Sequence, residues 1–329
     1  MSNKIFSVAT LAAAALLCST VLVSNRAHAQ GDAYPAKTVR VVVPYAPGGA
    51  LDTVARLVTQ RIGVRMGQTF FVDNKPGANN IIGMESVVRA APDGYTLLFA
   101  AAPLALNKAL GVKQPYDVLT DLVPISLLAT TPVIIAVNLA SPYRTLKDIV
   151  EASRTDPKGI SYATAGVGST PHLLGESFRI KSRANLTHIG YKGSSLALQD
   201  VLGGSVPVLM DAYTPGGVQV SAGKLRGIAV ASPARLPSLP NVPTTAEEGY
   251  PDIVGEAFFG LLAPAGTPQV IIDKLHAAAV AVAREPEVRD RLVQQGYNVV
   301  ASTPAEYTTH LRNEISRWTA TVKAAGIQP

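Results

Sequence analysis

Cysteine is almost absent from this sequence: among its 329 residues there is only Cys18. That residue lies in an apolar, alanine-rich run from Ile5 to Val23, which follows Lys4 and precedes Ala27-His28-Ala29. A positive residue, an apolar core and a small-x-small site in that order make the pattern of a secretory signal peptide, here residues 1–29 with a mature start at Gln30. The same run, about 19 apolar residues, is also nearly long enough for an uncleaved membrane anchor. The cleavage site favours removal. Lipid attachment at Cys18 is disfavoured by Leu17, because such sites usually carry a small residue there. A chain starting at Gln30 has no cysteine, which excludes disulfides, thiolate metal sites and a cysteine nucleophile.

Charge is scarce as well. Asp, Glu, Lys and Arg make up 16% of the residues, and no long run of one sign exists. The formal charge of +6 falls to +4 without Lys4 and Arg26. That is too diffuse for a nucleic-acid partner and mildly favours anionic ligands. After the leader, no segment is long and apolar enough to span a membrane, so the mature chain is expected to be soluble and exported. Enzyme signatures are missing too. Gly166-Val167-Gly168 has Pro171 where a dinucleotide fingerprint needs its third glycine, and no glycine loop ends in Gly-Lys-Ser/Thr. Ser169 does not sit in a G-x-S-x-G elbow. His172, His188, His276 and His310 fall at no metal-ligand spacing, so no metal, cofactor or catalytic residue is expected.

The sequence is 47% hydrophobic, in segments long enough for two domains. Val39 to Val43 reads as a strand, Ala50 to Ile62 as a helix with Leu51, Val54, Ala55, Val58 and Ile62 on one face, and Phe70 to Val72 as a strand. Ile81 to Ala91 reads as a helix stopping before Pro92-Asp93-Gly94, and Tyr95 to Ala100 as a strand. This β-α-β-α-β rhythm predicts a parallel sheet covered on both faces. Two apolar runs, ISLLA and VIIAVNL, follow around a kinking Thr131-Pro132. A second series runs from the helix at Leu146 to the strand Leu225 to Ala231, and Ala257 to Gly266 reads as a return strand before two C-terminal helices. Two α/β units with crossings near 125–137 and 254–263 predict two lobes, a hinge and a cleft. Ligands of open α/β sheets bind at the carboxyl ends of strands.

Three loops after strands share one logic. Tyr45-Ala46-Pro47-Gly48-Gly49 leads into a helix with Asp52 in its first turn. Thr164 to His172 opens another, with Thr170 as N-cap and Pro171 at N1. Tyr191-Lys192-Gly193-Ser194-Ser195 precedes a third. Helix N-termini expose unpaired N–H groups, and glycines let the backbone approach a ligand, so several around one cleft make a carboxylate or phosphate site. Each feature also has a plainer reading: glycines after strands make tight turns, Asp52 complements its own helix dipole, and His172 and Lys192 are solvated.

PYAPGGALD, NKPGANNIIG, APDGYTLL, ATAGVGSTPHLLGE, YKGSSLALQDVLGG, AGKLRGIAV and LPNVPTTAEEGY together closely resemble the substrate-binding receptors of tripartite tricarboxylate transporters, the TctC/Bug family. The likeness spans essentially the whole mature chain. It implies a two-lobed Venus-flytrap, or periplasmic-binding-protein, fold, with lobe 1 at residues 30–131 and 254–329 and lobe 2 at residues 132–253. It also implies a periplasmic monomer that captures an organic anion and docks with membrane permease subunits. Carried residue by residue, it points to Tyr45, Pro47, Gly48, Gly49 and Asp52 in the first lobe, and to Ala165, Gly166, Gly168, Ser169 and His172 in the second. Ala102, Thr170, Tyr191, Lys192 to Ser195 and Asp211 complete the candidate set. A sensor that passes its state to a signalling kinase would use the same cleft.

The chain departs from the family pattern at three places: Asn79-Asn80 where a Gly-Gly pair is common, Ala100-Ala101-Ala102 where polar residues are common, and Ala212-Tyr213-Thr214-Pro215-Gly216 where serines are common. An alanine-lined, tyrosine-bearing pocket leans towards an aromatic or aliphatic carboxylate over citrate. Di- and tricarboxylates and amino acids stay open.

Overall fold

The computed structural model describes residues 34–48 and 50–328, without the side chains of Ala50 and Pro215. The expected leader with Cys18 and the cleavage site, and Gly49 of the first loop, lie outside the described residues.

The β-branched runs form short strands with buried faces. β1 (Val39–Val43) pairs in parallel with β2 (Phe70–Asn74) and β3 (Thr96–Ala100). Parallel neighbours need a crossover, and α1 (Ala50–Met66) and α2 (Ile81–Val88) supply it. α1 runs beyond the expected Ile62 and ends before Gly67, whose φ of 67° makes the left-handed turn that stops a helix. α2 stops short of the expected Ala91. A short helix, α3 (Pro103–Ala109), follows β3 where no helix was expected from the sequence.

The two apolar runs around Thr131-Pro132 are one unbroken strand, β4 (Leu122–Asn138), of 17 residues. The expected kink is instead the point where the strand changes partners. Pro132 faces Glu256 of β9 (Glu256–Pro264), and Val133 faces Ala212 of β7 (Val208–Ala212). Proline has no N–H for the ladder, so it is tolerated where one set of pairings gives way to another.

Two sheets share β4. The first runs β2-β1-β3-β9-β4, and the second runs β4-β7-β5-β6 with β5 (Ile160–Thr164) and β6 (Leu186–Gly190). β8 (Leu225–Val230) and the two-residue β10 (Asn298–Val299) also pair with β4. β9 is antiparallel to β3 and to β4, so β4 runs in the direction of β1, β2 and β3. β7 is antiparallel to β4 and parallel to β5, which is parallel to β6. β4 therefore leaves the first sheet at the edge where β1 to β3 end, and enters the second at the edge where β5 to β7 end. The carboxyl edges of both parallel sets face each other across the crossing. The second crossing lies beside it, where the Val133 N–H donates to the Gly255 carbonyl at 2.9 Å.

In the second sheet α4 (Leu146–Thr155), α5 (Thr170–Ser182) and α6 (Ser194–Leu202) connect the strands, and α7 (Val218–Ser221) leads into β8. α8 (Gln269–Arg284) and α9 (Pro286–Gln294) return to the first half. The last helix, α10 (Pro304–Ala325), buries Tyr307, Leu311, Glu314, Trp318 and Val322 along one face. It packs on α3, β4 and α5. Through it, the core holding Met84 and Leu98 continues into Tyr162 and Phe178 of the other half. Each such side chain contributes roughly 1.5–3 kcal/mol when fully buried, so α10 holds the halves together by apolar contact.

Candidate functional site

The loop after β1 is organised by Asp52. This residue is 3% exposed, and its carboxylate accepts the Gly48 N–H, the Arg56 Nε–H and the Asn74 Nδ2–H, each at 2.9 Å. Burial works against the charged carboxylate, but Arg56, the Gly48 N–H and Asn74 outweigh it and hold the group at about 2. Asn74 also donates to the Tyr45 carbonyl at 3.0 Å, so the loop is tied to the end of β2. Gly48 has φ 89°, and an added Cβ would meet nothing within 4 Å, which places open space beside it. Pro47 is exposed, and Tyr45 is half-buried, with burial pushing its phenol upward.

Asparagines, among them the Asn79-Asn80 pair that departs from the family pattern, brace this loop. Asn79 and Asn80 have φ 50° and 74°, the left-handed region that asparagine enters more readily than other side chains. The pair thus keeps a backbone suited to Gly-Gly and adds amides. Asn80 Nδ2 donates to the Pro44 carbonyl, and Asn107 Nδ2 donates to the Asn79 carbonyl at 2.8 Å. Ala101 and Ala102 are buried and open α3, whose first amides bond back to them.

The loop after β5 is built from two glycines, Gly166 at φ 150° and Gly168 at φ 77°. Ser169, not Thr170, caps α5: its Oγ accepts the His172 N–H at 3.4 Å and donates to the Gly166 carbonyl at 2.7 Å. Thr170 and Pro171 are thus the first two residues of the helix, and Thr170 is buried. The Gly168 N–H donates to His172 Nδ1 at 3.0 Å, and the Gly166 N–H donates to Thr164 Oγ1 at 3.2 Å. His172 is 5% exposed and lies behind the loop, stacked on His188 with ring centres 3.9 Å apart. An added Cβ on Gly168 would come within 3.0 Å of Leu110 Cδ1, so this loop reaches across to the end of α3 in the other half.

The loop after β6 runs alongside. The Tyr191 N–H donates to Thr164 O at 3.1 Å and the Gly193 N–H to Ala165 O at 2.9 Å. The Tyr191 hydroxyl turns to Asp200, while Lys192 and Ser195 are exposed. Ser194 Oγ donates to Asp211 Oδ1 at 2.9 Å and joins this loop to the end of β7. Asp211 is 1% exposed and burial pushes its carboxyl up to about 6.

The candidate residues therefore gather at the two facing carboxyl edges. Ala165 to His172 and Tyr191 to Ser195 form one bonded unit, and Tyr45, Gly48 and Asp52, tied through Asn74, form another. Asp52 and His172 stand behind their loops, with the Asp52 carboxylate and His172 Nδ1 already bonded. Asn74 and Asn107 join the site without having been singled out; Asn80, noted as a departure from the family pattern, Thr164 of the second loop and His188 join it as well. Among the described residues, no three His, Cys, Asp or Glu side chains group as a metal site, and no helix is long and apolar enough to cross a membrane.

Comparison with known proteins follows the same lines. Residues 54–327 match the family described as tripartite tricarboxylate transporter family receptor. Protein BugT of Bordetella pertussis is 34% identical over 302 residues, covering 91% of this chain and 93% of its own. The structure of R. palustris Rpa4515 with adipate is 31% identical at a TM-score of 0.78, over 90% of this chain and 99% of that one. MatC from Rhodopseudomonas palustris with bound malate is 32% identical at 0.74, over 88% and 100%. The fold is the two-lobed α/β fold of periplasmic solute-binding proteins.

Proposed function

The chain belongs to the tripartite tricarboxylate transporter receptor family, and we propose that it is a periplasmic receptor that closes on a carboxylate of a small organic acid and delivers it to a tripartite tricarboxylate-type permease. Capture and delivery are its whole chemistry; it has no catalytic step and acts as a monomer. Lobe 1 is residues 30–131 with 254–329, and lobe 2 is residues 132–253. The observation that carries this reading is the facing of the two carboxyl edges, where glycine turns lead into the N-termini of α1, α5 and α6. Backbone N–H groups and positive helix ends hold an anion without a dedicated arginine. Gly48 and Gly49 contribute from lobe 1; Ala165, Gly166, Gly168, Ser169 and Thr170 contribute from lobe 2. Tyr45, Pro47, Ala102, Tyr191 and Lys192 form the surrounding wall. Closure follows because only the closed state brings both sets onto one ligand. The adipate and malate of the Rhodopseudomonas palustris proteins support a small carboxylate. The alanines after β3 favour an aliphatic or aromatic acid over citrate.

A thermal-shift screen of adipate, malate, citrate, benzoate, glutamate and glucose tests this. An acid at 100 times its Kd adds about 2.7 kcal/mol, on the order of 5 °C or more in Tm for a chain of this size. Stabilisation by glucose alone, with every acid silent, would overturn the carboxylate reading.

A further inference from the structure

We propose that the stacked pair His172 and His188 positions the glycine loop between β5 and α5, and that a proton on His172 releases that loop. The Gly168 N–H donates to His172 Nδ1 at 3.0 Å, so this nitrogen carries a lone pair and a neutral ring holds its proton on Nε2. Gly168 sits at φ 77°, where glycine has wide freedom, so its direction is set by this partner. His188 lies 3.9 Å away at 28° to the His172 ring, and its Nε2 is 2.7 Å from Thr164 Oγ1. Thr164 Oγ1 in turn accepts the Gly166 N–H at 3.2 Å. Both glycines therefore end on one imidazole pair, Gly168 directly and Gly166 through Thr164.

The surroundings leave an added proton without a partner. Glu176 of α5 and Tyr162 of β5 face the pair, and Arg179 of α5 stands beyond, bonded to Glu176. Glu176 already accepts the Tyr162 hydroxyl at 2.7 Å and Arg179 Nε at 2.8 Å. Burial holds His172 below its ordinary value against the pull of Glu176. Burial, and then His172 itself, hold His188 at about 4. Both rings are neutral at pH 7. As pH falls below the ordinary histidine value of 6.5, protonating His172 fills Nδ1 and places a cation against its neighbour. The loop is intact above this range and lost below it.

The test has a ligand-free arm that stands by itself and a ligand arm that rests on the carboxylate reading above. In the first, NMR of the full mature protein follows the Gly168 amide and the imidazoles from pH 7.5 to 4.5. The Gly168 signal should titrate together with His172. It should shift at all pH values in His172→Ala. In His172→Asn, whose amide oxygen can stand near Nδ1 and cannot be protonated, it should return towards the neutral wild-type position and stay constant. A Gly168 amide that ignores pH, or ignores His172→Ala, overturns the proposal. In the second arm, adipate is titrated calorimetrically. His172→Ala should lose about tenfold in affinity at pH 7.5, the worth of one net hydrogen bond, and His172→Asn should recover part of that and flatten the acid loss. Wild type that fails to bind adipate or any screened acid counts against the carboxylate reading, while the NMR arm still decides the histidine pair.

Discussion

Replacing Asp211 by asparagine should stabilise the protein at neutral pH relative to acid. Asp211 Oδ1 accepts from Ser194 Oγ at 2.9 Å and from the Ala212 N–H at 2.8 Å, while the buried Oδ2 has no partner among the described residues. Burial outweighs the two hydrogen bonds and takes the carboxyl from the ordinary 3.8 up to about 6. A folded value above the unfolded one means that the native state keeps a proton which the unfolded chain releases between the two. The charge is thus a liability above pH 6 that is relieved as pH falls. Asp211→Asn keeps an Oδ1 acceptor and cannot ionise. At about 1.36 kcal/mol per pH unit, and with the unfolded-state carboxyl already partly ionised at pH 4, the variant should gain about 2.4 kcal/mol on wild type between pH 4 and pH 7.5. Its amide also buries an unpaired donor, a penalty of about 1–3 kcal/mol that is equal at both pH values and cancels from the difference. Urea unfolding of both proteins at pH 4 and 7.5 measures it. Stabilities that change in parallel, within about 1 kcal/mol, would refute the reasoning that Asp211 is buried with one oxygen unpaired.

Ser169→Ala removes the cap of α5 and the bond to the Gly166 carbonyl, and should cost about 1 kcal/mol in stability together with weaker binding of whichever acid the thermal screen selects; unchanged affinity would detach this loop from the ligand. Asn74→Ala removes two bonds from the first loop, so the Asp52 carboxyl should titrate above its present value of about 2 in NMR, and an unmoved titration would contradict Asn74's part in holding it. Gly296→Ala puts a Cβ 2.0 Å from the Tyr213 ring at φ 79°, an overpacking and backbone strain worth about 1–3 kcal/mol or more, and combining it with Tyr213→Ala should cost less than the two single changes added. Strict additivity in that cycle would rule out the contact.

The strands of both sheets other than the two-residue β10 were legible because their runs are short, apolar and bounded by turn residues. β4 was legible as two runs and not as one strand, since a proline inside a strand normally ends it; here Pro132 sits where the strand changes partners and Pro124 where its register with β9 shifts. α3 was missed because seven mostly apolar residues, PLALNKA, show no helical period that separates them from the strand before. α9 was missed because it buries little beyond Val288 and Leu292. At the second loop, Pro171 drew the cap to Thr170, the residue before it, whereas the structure puts proline second in the helix and Ser169 at the cap. The glycine loops could be read locally. The bonds made by His188, Asn80 and Asn107 could not, because each acts on residues from a different element, and one sequence holds no signal of that pairing.

The two sides of the cleft are held by opposite electrostatic means, and this has a consequence for acid. The first loop depends on Asp52, which Arg56, Gly48 and Asn74 keep ionised down to about pH 2. The second depends on a neutral imidazole that burial keeps below its ordinary value. The carboxylate proposed as ligand, with an ordinary value near 4, stays charged above about pH 5. Mild acid therefore leaves both the ligand's charge and the first loop as they are, while it acts on the second loop through His172 and on the end of β7 through Asp211. Protonation at Asp211 stabilises the fold and protonation at His172 disfavours it, so stability and affinity need not fall together. A protein that loses ligand on acidification below the ordinary histidine value, without a parallel fall in Tm, would be behaving as this arrangement requires.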